Sequence, residues 1–404
     1  MLKMVDGTGI IGVDMICPLG VSTPQPPNYD RVELEGVGSL VLPNSLKAPL
    51  ERLELIGNST QGENPAPDNP KEIKSAGKHD EVSGKYLFDV KVTGENLLSN
   101  KSADWQIGKG LSWSTYPNDP ISIYRVINSA VNVINLKPST TYSIVNNSEK
   151  IVISRMIERN LSENGIKDHD VRSSKYTFAT NQNTMNAILQ IKKVDGTELL
   201  SSDIESIKIM LVEGEVNDPT PYEPYTEQSV QIALNEPLRG IGEYKDTITK
   251  DGVVRKIYEQ TLKKERISMN EYNWDTKYFR LYVKPDKKID SSTTITRLFS
   301  NMFKGFTICK GNSTIYWLIS EEEIRSMGIT EADCREVAYE KIKDFVTNND
   351  IVVQYPIVET TLEPLSESVQ AQLSALHSEN GTTHVFVDSG EVPCGIKLTY
   401  RKEK

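Results

Sequence analysis

The chain has 404 residues, of which 37% are hydrophobic and 25% charged, with a formal net charge of -10. That length leaves room for two or three domains, and the composition is that of an ordinary folded chain, neither disordered nor membrane-embedded. The acidic balance, with Lys and Arg scattered, argues against broad nucleic-acid binding, which needs a basic surface against phosphate.

No apolar run is long enough to span a bilayer. The stretch from Ile10 to Cys17 is short, is broken by Asp14 and has no basic leader, so no secretory signal is expected. Cys17, Cys309, Cys334 and Cys394 form no CxxC pair, and the four histidines are dispersed. Reduced, structural thiols are expected, with no metal and no cofactor.

Residues 1–80 read as an extended N-terminal arm with a small β region. Pro18, Pro24, Pro26 and Pro27 interrupt its first part, and Arg31-Val32-Glu33-Leu34-Glu35 alternates with period two. A second strand-like run covers 50–56, and 58–70 is rich in Asn, Gly and Pro, which favour turns. Gly7-Thr8-Gly9-Ile10-Ile11-Gly12 fits GxGxxG, with Asp30 about 20 residues on. A dinucleotide site would need a strand before it and a helix after it. Six residues precede it and Pro18 soon follows, so a Gly-rich arm is the better reading.

Residues 81–214 read as a jelly-roll-like β-sandwich. Tyr86, Phe88, Val90 and Val92 alternate with Leu87, Asp89 and Lys91, and further short strands are expected at 141–145, 151–153, 176–178, 188–191 and 207–212. Residues 215–254 are a Pro-rich linker followed by a hairpin about Asp251-Gly252. Residues 255–404 read as a β-rich C-terminal domain with two helices. One helix begins near Thr330, with Asp333 as an approximate capping box and Cys334, Val337, Ala338, Ile342 and Phe345 on its apolar face. The other runs from Ser366 to His377 and buries Val369, Leu373 and Leu376. The fold class is therefore mainly β and multidomain.

No HExxH, GxSxG or P-loop is present, and with 56 acidic residues no carboxylate pair stands out. Cys309 or Cys394 with His384 could be drawn as nucleophile and base, but a lone strand cysteine is more often core. Aromatic residues give the better lead. Trp105, Trp113, Tyr116 and Tyr124 gather in one stretch, and sugars stack their C–H faces on such rings. Trp113 and Tyr116 sit in a polar, Pro-flanked loop, with Asn118, Asp119 and Arg125 to bind hydroxyls. The competing reading, that these rings fill a core or a subunit interface, carries more weight.

Several phrases resemble recurrent ones in tail and baseplate proteins of phages, or phage-tail-like particles, of Gram-positive bacteria. They are Ile56-Gly57-Asn58-Ser59-Thr60-Gln61, the run 65–73, Leu136-Lys137-Pro138-Ser139-Thr140-Thr141-Tyr142, the run 207–214 with Pro221-Tyr222-Glu223-Pro224-Tyr225, Pro237-Leu238-Arg239-Gly240-Ile241-Gly242, and Gly381-Thr382-Thr383-His384. Together they span roughly residues 50–400, and the first 45 residues carry no such phrase. The resemblance implies a structural virion protein with a carbohydrate-binding-like sandwich, made in the bacterial cytoplasm and carrying no catalytic residue. It implies other tail proteins as partners through the N-terminal arm, and a homotrimer or other symmetric assembly, with no nucleic acid and no membrane. It leaves open a receptor-binding protein that recognises cell-wall glycan, and, as the weaker rival, a tail-associated cell-wall hydrolase.

Overall fold

A computed structural model describes residues 29–112, 121–160, 162, 164–171, 173–216, 221–290, 292, 298–311 and 313–404. The fold is mainly β, 52% strand against 11% helix, and its sheets are antiparallel. Among the described residues no helix is long and apolar enough to cross a membrane. Residues 1–28 of the expected N-terminal arm, with the GxGxxG run and Cys17, lie outside the described residues, while 29–56 supply strands of the largest sheet.

The largest sheet has 12 strands. It takes Tyr29–Val37, Ser39–Ser45, Glu51–Ile56 and Lys85–Thr93 from the first quarter of the chain. From the middle come Glu227–Leu234, Thr247–Thr249 and Gly252–Thr261, and from the end Val352–Pro364, Gly381–Asp388 and Gly395–Glu403. The short strands Lys78–Asp80 and Phe299–Ser300, on Lys85–Thr93 and Val352–Pro364, complete the twelve. Tyr29 lies opposite Glu403 and Val37 opposite Gly395, so the first described strand is sewn to the last along its whole length. The expected boundaries at 80/81 and 254/255 fall inside this sheet. Period-two alternation identifies a strand and its buried face, but not its partner. Tyr86 to Val92 shows this: the strand pairs with Glu227–Leu234 and Gly381–Asp388, and Phe88, Val90 and Val92 enter one core with Ile232, Val385 and Leu398.

Two segments are inserted into this sheet. The first, between Thr93 and Glu227, contains the sandwich. A five-stranded sheet ordered Gly165–His169, Ile151–Arg159, Asn186–Lys193, Ser122–Asn135, Gln106–Ser112 faces a three-stranded one ordered Lys175–Ala179, Thr141–Asn146, Ile209–Glu213. Ile153, Met156 and Leu189 of one meet Tyr142, Ile144 and Leu211 of the other in a common core. The run 221–226 is less free than a linker: Tyr222 packs on Val145, Met210 and Val212, its hydroxyl donates to the Ile207 carbonyl at 3.2 Å, and residues 217–220 lie outside the described residues.

The second insertion lies between Thr261 and Val352. A sheet ordered Ile267–Asn273, Tyr278–Val283, Ile315–Ile319, Phe306–Ile308 packs with helix Arg335–Asn348 around Trp317, Phe303 and Phe306. That helix starts at Arg335, later than Thr330. Thr330 and Asp333 instead close a turn ahead of it, with the Thr330 amide donating to Asp333 Oδ2 at 2.8 Å. Its buried face is Ala338, Ile342 and Val346, while Val337 and Cys334 are exposed. A short helix, Glu321–Ser326, escaped sequence reading although Ser320 and Glu323 form a capping box. Helix Glu367–Ala375, capped by Ser366, belongs to the central core through Leu373 and Leu376, and so not to the same unit as Arg335–Asn348. The hairpin turn is one residue earlier than expected: Thr249 pairs with Gly252, leaving Lys250 and Asp251 as the loop.

The ribbon formed by Gly252–Thr261 and Val352–Pro364 carries the second insertion and kinks as it leaves the sheet. Its register jumps from Arg255 opposite Thr361 to Ile257 opposite Pro356. Such an irregularity frees backbone amides. Asp246, fully buried, collects them: its Oδ1 accepts from the amides of Lys256 (2.7 Å) and Ile257 (3.0 Å). Its Oδ2 accepts from the Arg239 amide (3.1 Å) and from Arg255 Nη1 (3.3 Å). The Asp246 carbonyl accepts from the Gly57 amide at 2.7 Å. Beside it, a Cβ on Gly57 would sit 2.4 Å from the Arg239 carbonyl oxygen, and one on Gly240 2.5 Å from that of Gly57, so only glycine fits.

Replacing Asp246 by Ala should remove these acceptors and leave the buried Arg255 guanidinium with only the half-exposed Glu363 carboxylate and the carbonyls of Glu236 and Pro237 as partners. A loss of roughly 3–5 kcal/mol is expected, the scale of a broken buried pair. Chemical denaturation with hydrogen exchange measures it. The Lys256 and Ile257 amides should lose protection first, and unchanged stability would contradict the assignment.

Candidate functional site: a cleft between central sheet and sandwich

Of the residues proposed for sugar binding, Trp113, Tyr116, Asn118 and Asp119 lie outside the described residues. Arg125 is exposed on strand Ser122–Asn135, opposite Lys109. The strand pair Gln106–Ser112 and Ser122–Asn135 jumps register from Ile107 opposite Ala130 to Lys109 opposite Arg125. Beyond that bulge Leu111 and Ile121 pack onto Val131, Ile157 and Ile188, and the Leu111 amide donates to Gln190 Oε1 at 2.9 Å. The residues on either side of 113–120 are thus anchored to the outer face of the five-stranded sheet. Of the other two rings in the expected aromatic cluster, Trp105 is core: it is 5% exposed and donates its indole N–H to the Ser99 carbonyl at 2.8 Å. Tyr124 is about half exposed.

Cys394 and Cys309 sit in different settings. Cys394 is fully buried, and burial pushes its thiol up to about 11, unsuited to a nucleophile. Cys309 is exposed, not a core strand residue. Among the described residues no group of three His, Cys, Asp or Glu side chains is arranged to hold a metal.

The register of the central sheet builds a second surface. Glu227, Thr93 and His384 stand opposite one another across three strands; then come Ser229, Lys91 and Phe386, and then Gln231, Asp89 and Asp388. Alternate residues share a face, so all three rows point away from the core that Phe88 and Val90 fill. The sandwich lies over this face and leaves a cleft of about 770 Å³. Its opposite wall comes from Asp104, Gln106 and residues 131–135, with Tyr225 at the join. Sequence reasoning missed this site because its walls come from segments some 300 residues apart, brought together by strand pairing alone.

At the join, Glu227 accepts from the Tyr225 hydroxyl and pairs with Lys91 (3.2 Å) and Lys101 (3.1 Å). Burial alone would raise the Glu227 carboxyl, but these partners outweigh it and hold it below the usual range. Burial and the same carboxylate push the Tyr225 hydroxyl far up, so it stays protonated and can donate. A separate buried pair braces the sandwich: Glu158 meets His169 Nε2 at 2.5 Å, and Tyr176 lies 3.1 Å from Nδ1. Burial would raise Glu158, but His169, the Asn181 amide and Thr184 prevail and hold it low.

His384 stands opposite Thr93 at the end of the first row, beside the cleft without lining it. It is fully buried, and neither ring nitrogen has a hydrogen-bond partner among the described residues. Glu213 of the sandwich lies 3.8 Å from Nδ1 but is held by Lys137 at 2.9 Å. Glu95, whose own carboxyl is raised by burial and then by Glu223, sits near the start of the same strand, 3.8 Å from where a Cβ on Gly381 would be. Burial lowers His384 to about 4, against 6.5 when unfolded. The unfolded chain therefore binds the extra proton first. Stability is fully present above pH 6.5 and lost as pH falls toward 4, by roughly 3 kcal/mol at about 1.4 kcal/mol per unit. His384→Leu should flatten the melting temperature between pH 6.5 and 4. An unaltered slope would contradict this burial account.

No family model, no curated protein and no solved structure matches this chain.

Proposed function

We propose that this chain is a structural component of a phage tail tip or baseplate that contributes to attachment at the host surface, and not an enzyme. The observation that carries the reading is where the tail-like phrases meet. The run 56–61 touches 237–242 at Gly57 and Gly240, beside the Asp246 node. The run 207–214 meets 381–384 where Glu213 approaches His384, and 221–225 packs alongside through Tyr222 and Glu223. Phrases far apart in sequence thus supply the two joints that hold the inserted units, a sensible place for a family of scaffolds to be alike.

A receptor-binding role is the second reading, favoured by the cleft: its carboxylates, amides and rings suit a polyhydroxylated ligand. In the first reading the N-terminal arm docks on neighbouring tail proteins and the assembly is symmetric. Gold-labelled antibody to a C-terminal tag should decorate the distal tail of particles. Protein that stays in the lysate while tagless particles form, or that releases reducing sugar from purified cell walls, would contradict the proposal.

A further inference from the structure

We infer that the cleft between the central sheet and the sandwich binds a neutral oligosaccharide; this rests on the attachment reading and assigns it a site. Two polar side chains make the case. Thr93 is 3% exposed, lines the cleft, and its hydroxyl has no hydrogen-bond partner among the described residues. A buried hydroxyl left unpaired costs free energy unless something supplies the bond. Asn132, 7% exposed, lines the opposite wall. One group thus comes from each of the two units, and both face the same space.

The remaining chemistry narrows the ligand. Phe386, half-buried in the middle row, offers a ring for the C–H face of a sugar. Asp89 and Asp388, opposite each other in the outer row, accept hydroxyl hydrogens. Asp89, Asp104 and Asp388 line the cleft, with Lys91 as the one lining cation among the described residues. With Glu227 shared by Lys91 and Lys101, and Lys78 at Asp388 (3.7 Å), carboxylates still outnumber cations, which disfavours a polyanion. A neutral sugar chain satisfies donors, acceptors and ring together. A phosphate-rich wall polymer does not.

The test uses the full chain, an array of neutral glycans including N-acetylglucosamine pentamer, and poly(glycerol phosphate) as the anionic comparator. Calorimetry should find a neutral glycan that binds, while poly(glycerol phosphate) does not. Thr93→Val and Asn132→Ala should each weaken it by roughly tenfold, the scale of one lost hydrogen bond, with melting temperatures unchanged. Phe386→Leu should weaken it with the fold kept, as circular dichroism will report. Preference for the polyanion, absence of any neutral binder, or binding lost in Trp113→Ala but retained in the cleft variants would overturn the inference. Co-sedimentation with whole cell walls separates the two levels. Walls held equally by the wild type and the cleft variants sink the cleft assignment and leave attachment standing, whereas walls not held at all sink attachment.

Discussion

Asp246 binds three stretches of chain through one side chain and its own backbone. Its carboxylate takes the amides of Arg239, Lys256 and Ile257 and the Arg255 guanidinium, and its carbonyl takes the Gly57 amide. Arg255 in turn donates to the carbonyls of Glu236 and Pro237. Burying an ion pair rarely adds net stability, because desolvation offsets the attraction. Its value here is geometric. A ribbon that must leave a sheet at an angle frees backbone amides, and a fixed carboxylate satisfies them in one arrangement only.

The other joint is neutral. Asn96, 1% exposed, stands where the chain leaves the central sheet for the sandwich. Its Oδ1 accepts from the amides of Leu98 (2.9 Å) and Leu211 (3.2 Å), and its Nδ2 donates to the Glu223 carbonyl (3.1 Å). One amide thereby ties the outgoing strand to the returning one. With the Gly94 amide bound to Thr226 Oγ1 at 3.0 Å, the neck is braced at two levels. A cleft walled by two units keeps its shape only if their connection is braced, so the neck and the candidate site depend on one another.

Local structure was largely legible in the sequence. Alternation located strands such as Lys85–Thr93, and Ser366 marked a helix start. Helical spacing placed Ala338 and Ile342 correctly but misjudged Val337, because a stripe read without its partner has no fixed centre. What stayed hidden was the pairing of Tyr29–Val37 with Gly395–Glu403 and of Lys85–Thr93 with Glu227–Leu234. Partners that distant leave no local signal, so units appeared linear where they are nested. The cleft was hidden for the same reason: Thr93, Asn132 and Phe386 are unremarkable until the register sets them around one space.

Nesting can be tested directly, since Thr93 and Glu227 lie opposite each other in the sheet. A two-residue Asn-Gly turn suits such a pair of antiparallel ends. Replacing residues 94–226 by Asn-Gly should give a soluble chain, and hydrogen exchange should show the central-sheet strands still protected. The excised segment, expressed alone, should give a dispersed amide spectrum. An aggregated or unprotected remainder would contradict the central claim, that one sheet built from both ends of the chain carries the sandwich as an insertion.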